Sequence, residues 1–96
     1  MWIAEDADGA RVGLLWLAHL DAGTPRECAF IYDFEVEESR RGAGWGRKLL
    51  ALAEEQTRLW GLSVLRLNVF GGNTVARRLY QSEGFTESRV MMYKNL

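Results

Sequence analysis

Apolar and polar residues alternate in short runs over the first third of the chain, then switch to a longer period. Asp6-Ala7-Asp8-Gly9 and Asp21-Ala22-Gly23-Thr24-Pro25-Arg26 are turn signals. Between them the apolar run Arg11 to Ala18 suits a strand. Cys28 to Val36, rich in aromatic and β-branched residues, predicts another. The polar tips describe an antiparallel meander. After Val36, Glu37-Glu38-Ser39-Arg40-Arg41 is a polar connector. From Trp45 to Trp60, apolar residues fall at Trp45, Leu49, Leu52, Ala53, Leu59 and Trp60, the spacing of one helix face, and Gly61 is a natural stop. Val64 to Phe70 predicts a strand in which Leu65, Leu67 and Val69 alternate with Arg66, Asn68 and Phe70. A second helix runs from an Asn73 N-cap to Ser82, with Val75, Ala76, Leu79 and Tyr80 inward and Gly84 at its end. Phe85 and Val90-Met91-Met92-Tyr93 predict a closing hairpin.

The order is strand, strand, strand, helix, strand, helix, strand, strand. Strand–helix–strand from Phe30 to Phe70 predicts a right-handed parallel crossover. The expected class is therefore α/β (α+β), a mixed sheet with helices on its faces. Composition narrows the partners. A chain of 96 residues holds one small domain, 1–96. With 12 Lys+Arg against 13 Asp+Glu, bulk electrostatics give no hold on nucleic acid. A single cysteine excludes an internal disulfide framework and a thiolate-rich zinc site. No apolar run nears the roughly 18–20 residues that span a bilayer, and Met1 to Asp6 lacks the basic flank and apolar core of a signal peptide. The expectation is a cytoplasmic protein without a metal, nucleic-acid or membrane partner.

Chemistry concentrates at Arg41-Gly42-Ala43-Gly44-Trp45-Gly46, which follows a strand and opens a helix. The first turn of a helix carries unpaired N–H groups and the positive end of the dipole. Glycines let a diphosphate approach the backbone with no Cβ in the way. The pattern predicts a phosphate site, with Arg41 and Arg47 at its rim. It is not a Walker loop, because the positions that pattern reserves for glycine hold Arg47 and Leu49. The dinucleotide fingerprint fails at the same two residues.

What fits is Arg/Gln-x-x-Gly-x-Gly/Ala, met by Arg41, Gly44 and Gly46. This resembles the coenzyme A pyrophosphate loop of the GNAT (GCN5-related) N-acyltransferases. Asn73-Thr74-Val75-Ala76-Arg77-Arg78-Leu79-Tyr80-Gln81-Ser82-Glu83-Gly84-Phe85 is similar to that family's second signature, Asn-x-x-Ala-x-x-Leu-Tyr-x-x-x-Gly-Phe. The two motifs cover residues 28–96. The resemblance implies a centrally splayed sheet and acetyl transfer from acetyl-CoA, as co-substrate, to a small-molecule or protein amine by direct attack. It implies that the pantetheine arm pairs with main-chain groups from Phe34 to Val36. The pyrophosphate would meet the amides of Arg41, Gly42, Ala43, Gly44, Trp45, Gly46 and Arg47. Asn73 would contact the pantetheine or cap the second helix.

By the same resemblance Tyr80 is the general acid; its other reading is a core aromatic. A phenol near pKa 10 stays protonated at neutral pH and can protonate a departing thiolate. The general base is open: some members place a Glu where this chain has Asn68, which takes no proton. Asp33 and Glu35 lie beside the expected acyl site, and alternation puts them on one face, opposite Phe34. His19 reads as a surface imidazole, Cys28 as a small buried residue, and Trp2, Trp16 and Trp60 as core or interface aromatics. Trp45 is expected to pack under the helix start.

The chain departs from the family in length. It opens at what resembles the second strand, so the usual N-terminal strand and two helices, which shape the acceptor pocket, have no counterpart. Either a preceding segment or a homodimer would complete the site. The alternative is a non-catalytic module that binds acyl-CoA without turnover.

Overall fold

The computed structural model describes residues 1–96. Three antiparallel strands come first: β1 (Trp2–Glu5), β2 (Arg11–Leu20) and β3 (Cys28–Val36). A 3-10 turn at Glu38–Arg40 leads to α1 (Trp45–Leu59), then β4 (Leu65–Leu67) and α2 (Thr74–Ser82). The sheet order is β1-β2-β3-β4, with β4 parallel to β3, as the strand–helix–strand reading requires. Asp6 shapes the first turn by accepting from Asp8 N and Ala10 N. Thr24 Oγ1 bonds Asp21 O in the second.

Leu15 and Leu17 of β2, Ala29 and Ile31 of β3, and Leu49, Leu50 and Ala53 of α1 form the core with Leu62. Their burial is the main stabilising term. Thr57, also buried, satisfies its hydroxyl on Ala53 O at 2.7 Å. The inward stripe of α1 is thus Leu49-Leu50-Ala53-Thr57, and Leu59 is 73% exposed rather than inward. At 100° per residue Leu59 lies about 130° from the middle of that stripe. Val75, expected inward, is likewise exposed in the first turn of α2, where Ala76, Leu79 and Tyr80 are half-buried.

Two further expectations are corrected, and a bulge between them was not foreseen. The strand at Val64 to Phe70 shrinks to Leu65–Leu67. In β3 the register with β2 passes from Trp16↔Asp33 to Leu17↔Ile31, leaving Tyr32 as an extra residue. Such a bulge bends its strand, and pairing with β4 stops at Ile31↔Leu67, next to it. The closing hairpin is absent: no strand follows α2, and Val90 to Tyr93 are exposed. A three-residue β4 edge is too short to anchor a hairpin that is marginal alone. Helices cover one face only. α1 lies over Leu15, Leu17 and Ile31, and α2 abuts its first turn through Leu79 and Gly46. The opposite face carries Trp16 and Tyr32, both about half exposed, so Trp16 is no core residue.

Candidate active site

The entry to α1 is built by backbone conformation. Gly42 (φ 83°) and the N-cap Gly44 (φ 84°) occupy the left-handed region, and no side chain caps the helix. The first bond into α1 runs from Lys48 N to Gly44 O, 3.2 Å. No carbonyl of the chain accepts from the N–H groups of residues 42–47. The first turn holds no acidic residue. Free donors, the helix dipole and missing side chains together make an anion cradle. Gly46 serves packing: a Cβ there would stand 3.1 Å from Leu79 Cδ2. The rim arginines are exposed, and each has a partner on the chain. Arg47 Nε lies 3.1 Å from Glu83 Oε1, and Arg41 Nε donates to Val36 O at 3.3 Å. Trp45, half-buried, has Lys48 Nζ 4.6 Å over its ring. Ala43 is exposed in the loop.

The loop adjoins a cleft through Phe34, whose ring lies 3.8 Å from where a Cβ on Gly46 would stand. Glu37 N donates to Val12 O, toward β2. Alternation therefore turns the main-chain groups of Phe34 and Val36 the other way, to the side that β4 has vacated. Val36 O, which meets Arg41 rather than β2, agrees. Tyr32, Asp33, Phe34, Leu67, Asn68 and Tyr80 line the mouth of the gap. Tyr80 is held edge-on between Phe34 and Phe85, centroids 6.0 and 5.7 Å away. Burial pushes its phenol above the ordinary 10.0, because the charged form is desolvated.

The two carboxylates part company. Asp33 is half-buried, lines the cleft with Tyr80 and has no ion-pair partner. Glu35 faces Arg11, 3.9 Å away, outside the cleft. Asn73 Oδ1 accepts from Ala76 N at 3.2 Å and caps α2. His19 is at the surface, paired with Glu27 at 2.9 Å and stacked on Trp60; Cys28 is buried. Tyr32 was missed by alternation, since a bulge leaves no mark in composition. Also unforeseen is a tether behind the cradle, Arg40 Nη2 to Asp6 Oδ2 at 2.5 Å, which ties the 3-10 turn to the β1–β2 turn. Asp6 is held below its usual carboxylate range, first by the Ala10 N–H and also by the Arg40 guanidinium. No group of three or more His, Cys, Asp or Glu is placed to hold a metal ion. No helix is long and apolar enough to cross a membrane.

Comparison with known proteins bears on the family and the fold. The sequence profile of the Acetyltransferase (GNAT) family matches residues 1–85. The uncharacterized N-acetyltransferase YycN of Bacillus subtilis is 42% identical over 85 residues, covering 88% of this chain and 54% of YycN. The YycN crystal structure superposes with a TM-score of 0.87 at 38% identity, covering 99% of this chain and 60% of that one. A mycothiol acetyltransferase of Beutenbergia cavernae is 37% identical over 87 residues, 90% of this chain and 28% of its own. The aminoglycoside N-acetyltransferase AAC(6')-Iy, solved with CoA, shares the fold (TM-score 0.79, 23% identity, 98% of this chain and 73% of that one). The chain thus spans about half the length of YycN.

Proposed function

This chain belongs to the GNAT family of acetyltransferases, and on that premise we propose that its residues 1–96 form one domain that transfers an acetyl group from acetyl-CoA to a primary amine. The observation that carries the reading is that three features adjoin, Gly46 lying against the Phe34 ring and Arg41 Nε reaching Val36 O. They are the set of unpaired amides at 42–47, the outward main chain of Phe34 and Val36, and the mouth that holds Asp33 and Tyr80. The fold's likeness to an acetyltransferase solved with CoA supports the same carrier.

Acetyl-CoA supplies the activated acyl group as a thioester. The amides of 42–47 suit its doubly charged diphosphate in number and sign. In the reaction a C–N bond forms and the C–S bond breaks. The amine loses one proton and the departing sulfur gains one. Asp33, free of an ion pair at the mouth, takes the amine's proton directly or through water. Glu35, turned to Arg11, is the weaker candidate. Tyr80 gives its proton to the sulfur; its raised pKa keeps that proton in place across the neutral range. An outward N–H near Phe34 donates to the carbonyl oxygen as charge develops there.

Calorimetric titration with acetyl-CoA, followed by an amine screen with thiol release as readout, tests the proposal. Binding followed by amine-dependent CoA release is expected. Binding without release from any amine would favour a non-catalytic carrier-binding module. Failure of acetyl-CoA to bind would remove both.

A further inference from the structure

The glycine loop has a second anchor, and it lies outside the cleft. β2 begins where β3 ends, Gly13 pairing with Val36, so the β1–β2 turn and the 3-10 turn at Glu38–Arg40 meet at one end of the sheet. Asp6 is fixed in the first of these turns. Its N–H donates to Ala10 O at 2.9 Å, and its Oδ1 accepts from Asp8 N and Ala10 N at 2.9 and 3.0 Å. Oδ2 is left for a partner from elsewhere in the chain, and Arg40 Nη2 takes it at 2.5 Å. The Asp6 side chain is 13% exposed, so water screens this pair less than it screens a surface one.

The approach to the loop has few other ties. Glu37 N donates to Val12 O, and Glu37 Oε1 lies 3.6 Å from Arg11 Nε. Beyond Glu37 the backbone bonds are Arg40 N to Glu37 O and Arg41 N to Glu38 O, both inside the turn, until Gly44 O accepts from Lys48 N of α1. Arg41 Nε reaches back to Val36 O, in the strand the segment has just left. Arg40 is the one residue of 38–44 that bonds to β1, β2 or the turn between them.

Resting on the acetyltransferase reading above, we infer that Asp6 and Arg40 are a positioning pair for the carrier: held together, they fix the approach to residues 42–47 and keep the loop amides arrayed for the diphosphate before it binds. Neither residue touches the carrier. The pair acts by sparing the ordering of the loop at binding, which strengthens binding without a new contact. Its two charges give the inference a distinctive sign. Acting on the diphosphate through space, Arg40 would attract it and Asp6 would repel it. Acting as a tether, both favour binding.

Calorimetric titration with acetyl-CoA, at a temperature where every variant is folded, reads that sign. Asp6→Asn keeps an amide oxygen for Asp8 N and Ala10 N but loses the charge that holds Arg40. Arg40→Gln breaks the pair from the other side and leaves the β1–β2 turn as it is. Each is expected to raise Kd by about five- to thirtyfold, the cost of ordering one residue of backbone. The double variant should be no worse than either, because the pair can be broken only once. Arg40→Lys, with a cation still in reach of one oxygen, should recover most of the affinity. Gly9→Ala strains the same turn, at φ 81°, but keeps both side chains, so it should lower Tm and leave Kd unchanged. Where Asp6→Asn fails to fold, Asp6→Ser, whose hydroxyl also accepts in such a turn, takes its place. Tighter binding on loss of the Asp6 charge would assign the two residues to the ligand's field and overturn the inference. So would an unchanged Kd in Arg40→Gln beside a lowered Tm, which would make the pair structural alone. In both cases wild-type binding leaves the acetyltransferase reading standing. If the wild type does not bind acetyl-CoA, that reading falls and takes the inference with it.

Discussion

Gly44→Ala separates the two demands made on the cradle. Gly44 sits at φ 84°, and a Cβ there would meet nothing within 4 Å. Any effect on folding is therefore conformational, not steric. Forcing an L-residue into the left-handed region costs roughly 1–2 kcal/mol. For a domain of this size each kcal/mol lowers Tm by roughly 4–8 °C. The effect on binding is separate, because Gly44 belongs to the run of residues 42–47 whose N–H groups no carbonyl of the chain takes. Losing one charge-assisted hydrogen bond is worth about 1.5–3 kcal/mol, or about 10- to 150-fold in Kd. Gly9→Ala is the matched control. Gly9 has φ 81° and an equally open surrounding, but it lies in the β1–β2 turn. Differential scanning fluorimetry should show comparable losses in both variants. Calorimetry with acetyl-CoA at a temperature where both are folded should show weakened binding in Gly44→Ala alone. Equal affinity in the two variants would refute the claim that these amides hold the carrier.

The remaining predictions use the same structure. Tyr80→Phe should cut turnover by about 10²–10⁴-fold, the range for losing a general acid, with acetyl-CoA affinity kept; an unchanged kcat would return Tyr80 to a packing role. Because its folded pKa is raised, the protonated phenol stabilises the fold fully below pH 10.0, and that contribution is lost as pH climbs from there through the folded value. Chemical denaturation across that range should show the slope in wild type and not in Tyr80→Phe. Asp6 has the opposite sign. Its lowered pKa stabilises the fold above the ordinary 3.8, and the contribution disappears as pH falls from there through the folded value. Asp6→Asn should flatten the acid limb of stability, and a retained acid limb would assign it to other carboxylates. Gly13→Ala should be severe, since a Cβ would stand 2.6 Å from Glu35 O and 2.8 Å from Leu49 Cδ1. Backbone cannot yield as a side chain does, so losses of about 1–3 kcal/mol are expected from overpacking, read as a fall in denaturant midpoint.

How much of this was legible beforehand follows from what each feature depends on. β3 and α1 were bounded correctly because their signals are local: β-branched and aromatic density in one, a helical period and a glycine entry in the other. Asn73 as an N-cap is local too, and its bond to Ala76 N followed. The glycine loop was legible because left-handed residues and free helix-start amides are properties of a few consecutive positions. The cleft was legible only through the family resemblance, which implied a splayed sheet with open main chain from Phe34 to Val36, and not through the alternation of residues. It exists because one extra residue, Tyr32, sits in β3 without a partner in β2, and a two-residue period cannot say which residue will be extruded. That slip bends β3, ends β4 after Leu67 and exposes the outward edge of Phe34 and Val36. It also splits Asp33 from Glu35, which alternation had made equivalent: one lines the cleft with Tyr80, the other pairs with Arg11. The hairpin at Val90 to Tyr93 failed for a related reason, since strand propensity is a demand for a partner edge, and β4 had already been cut to three residues. A bulge in β3 therefore accounts both for the open cleft and for the strands that did not form beside it.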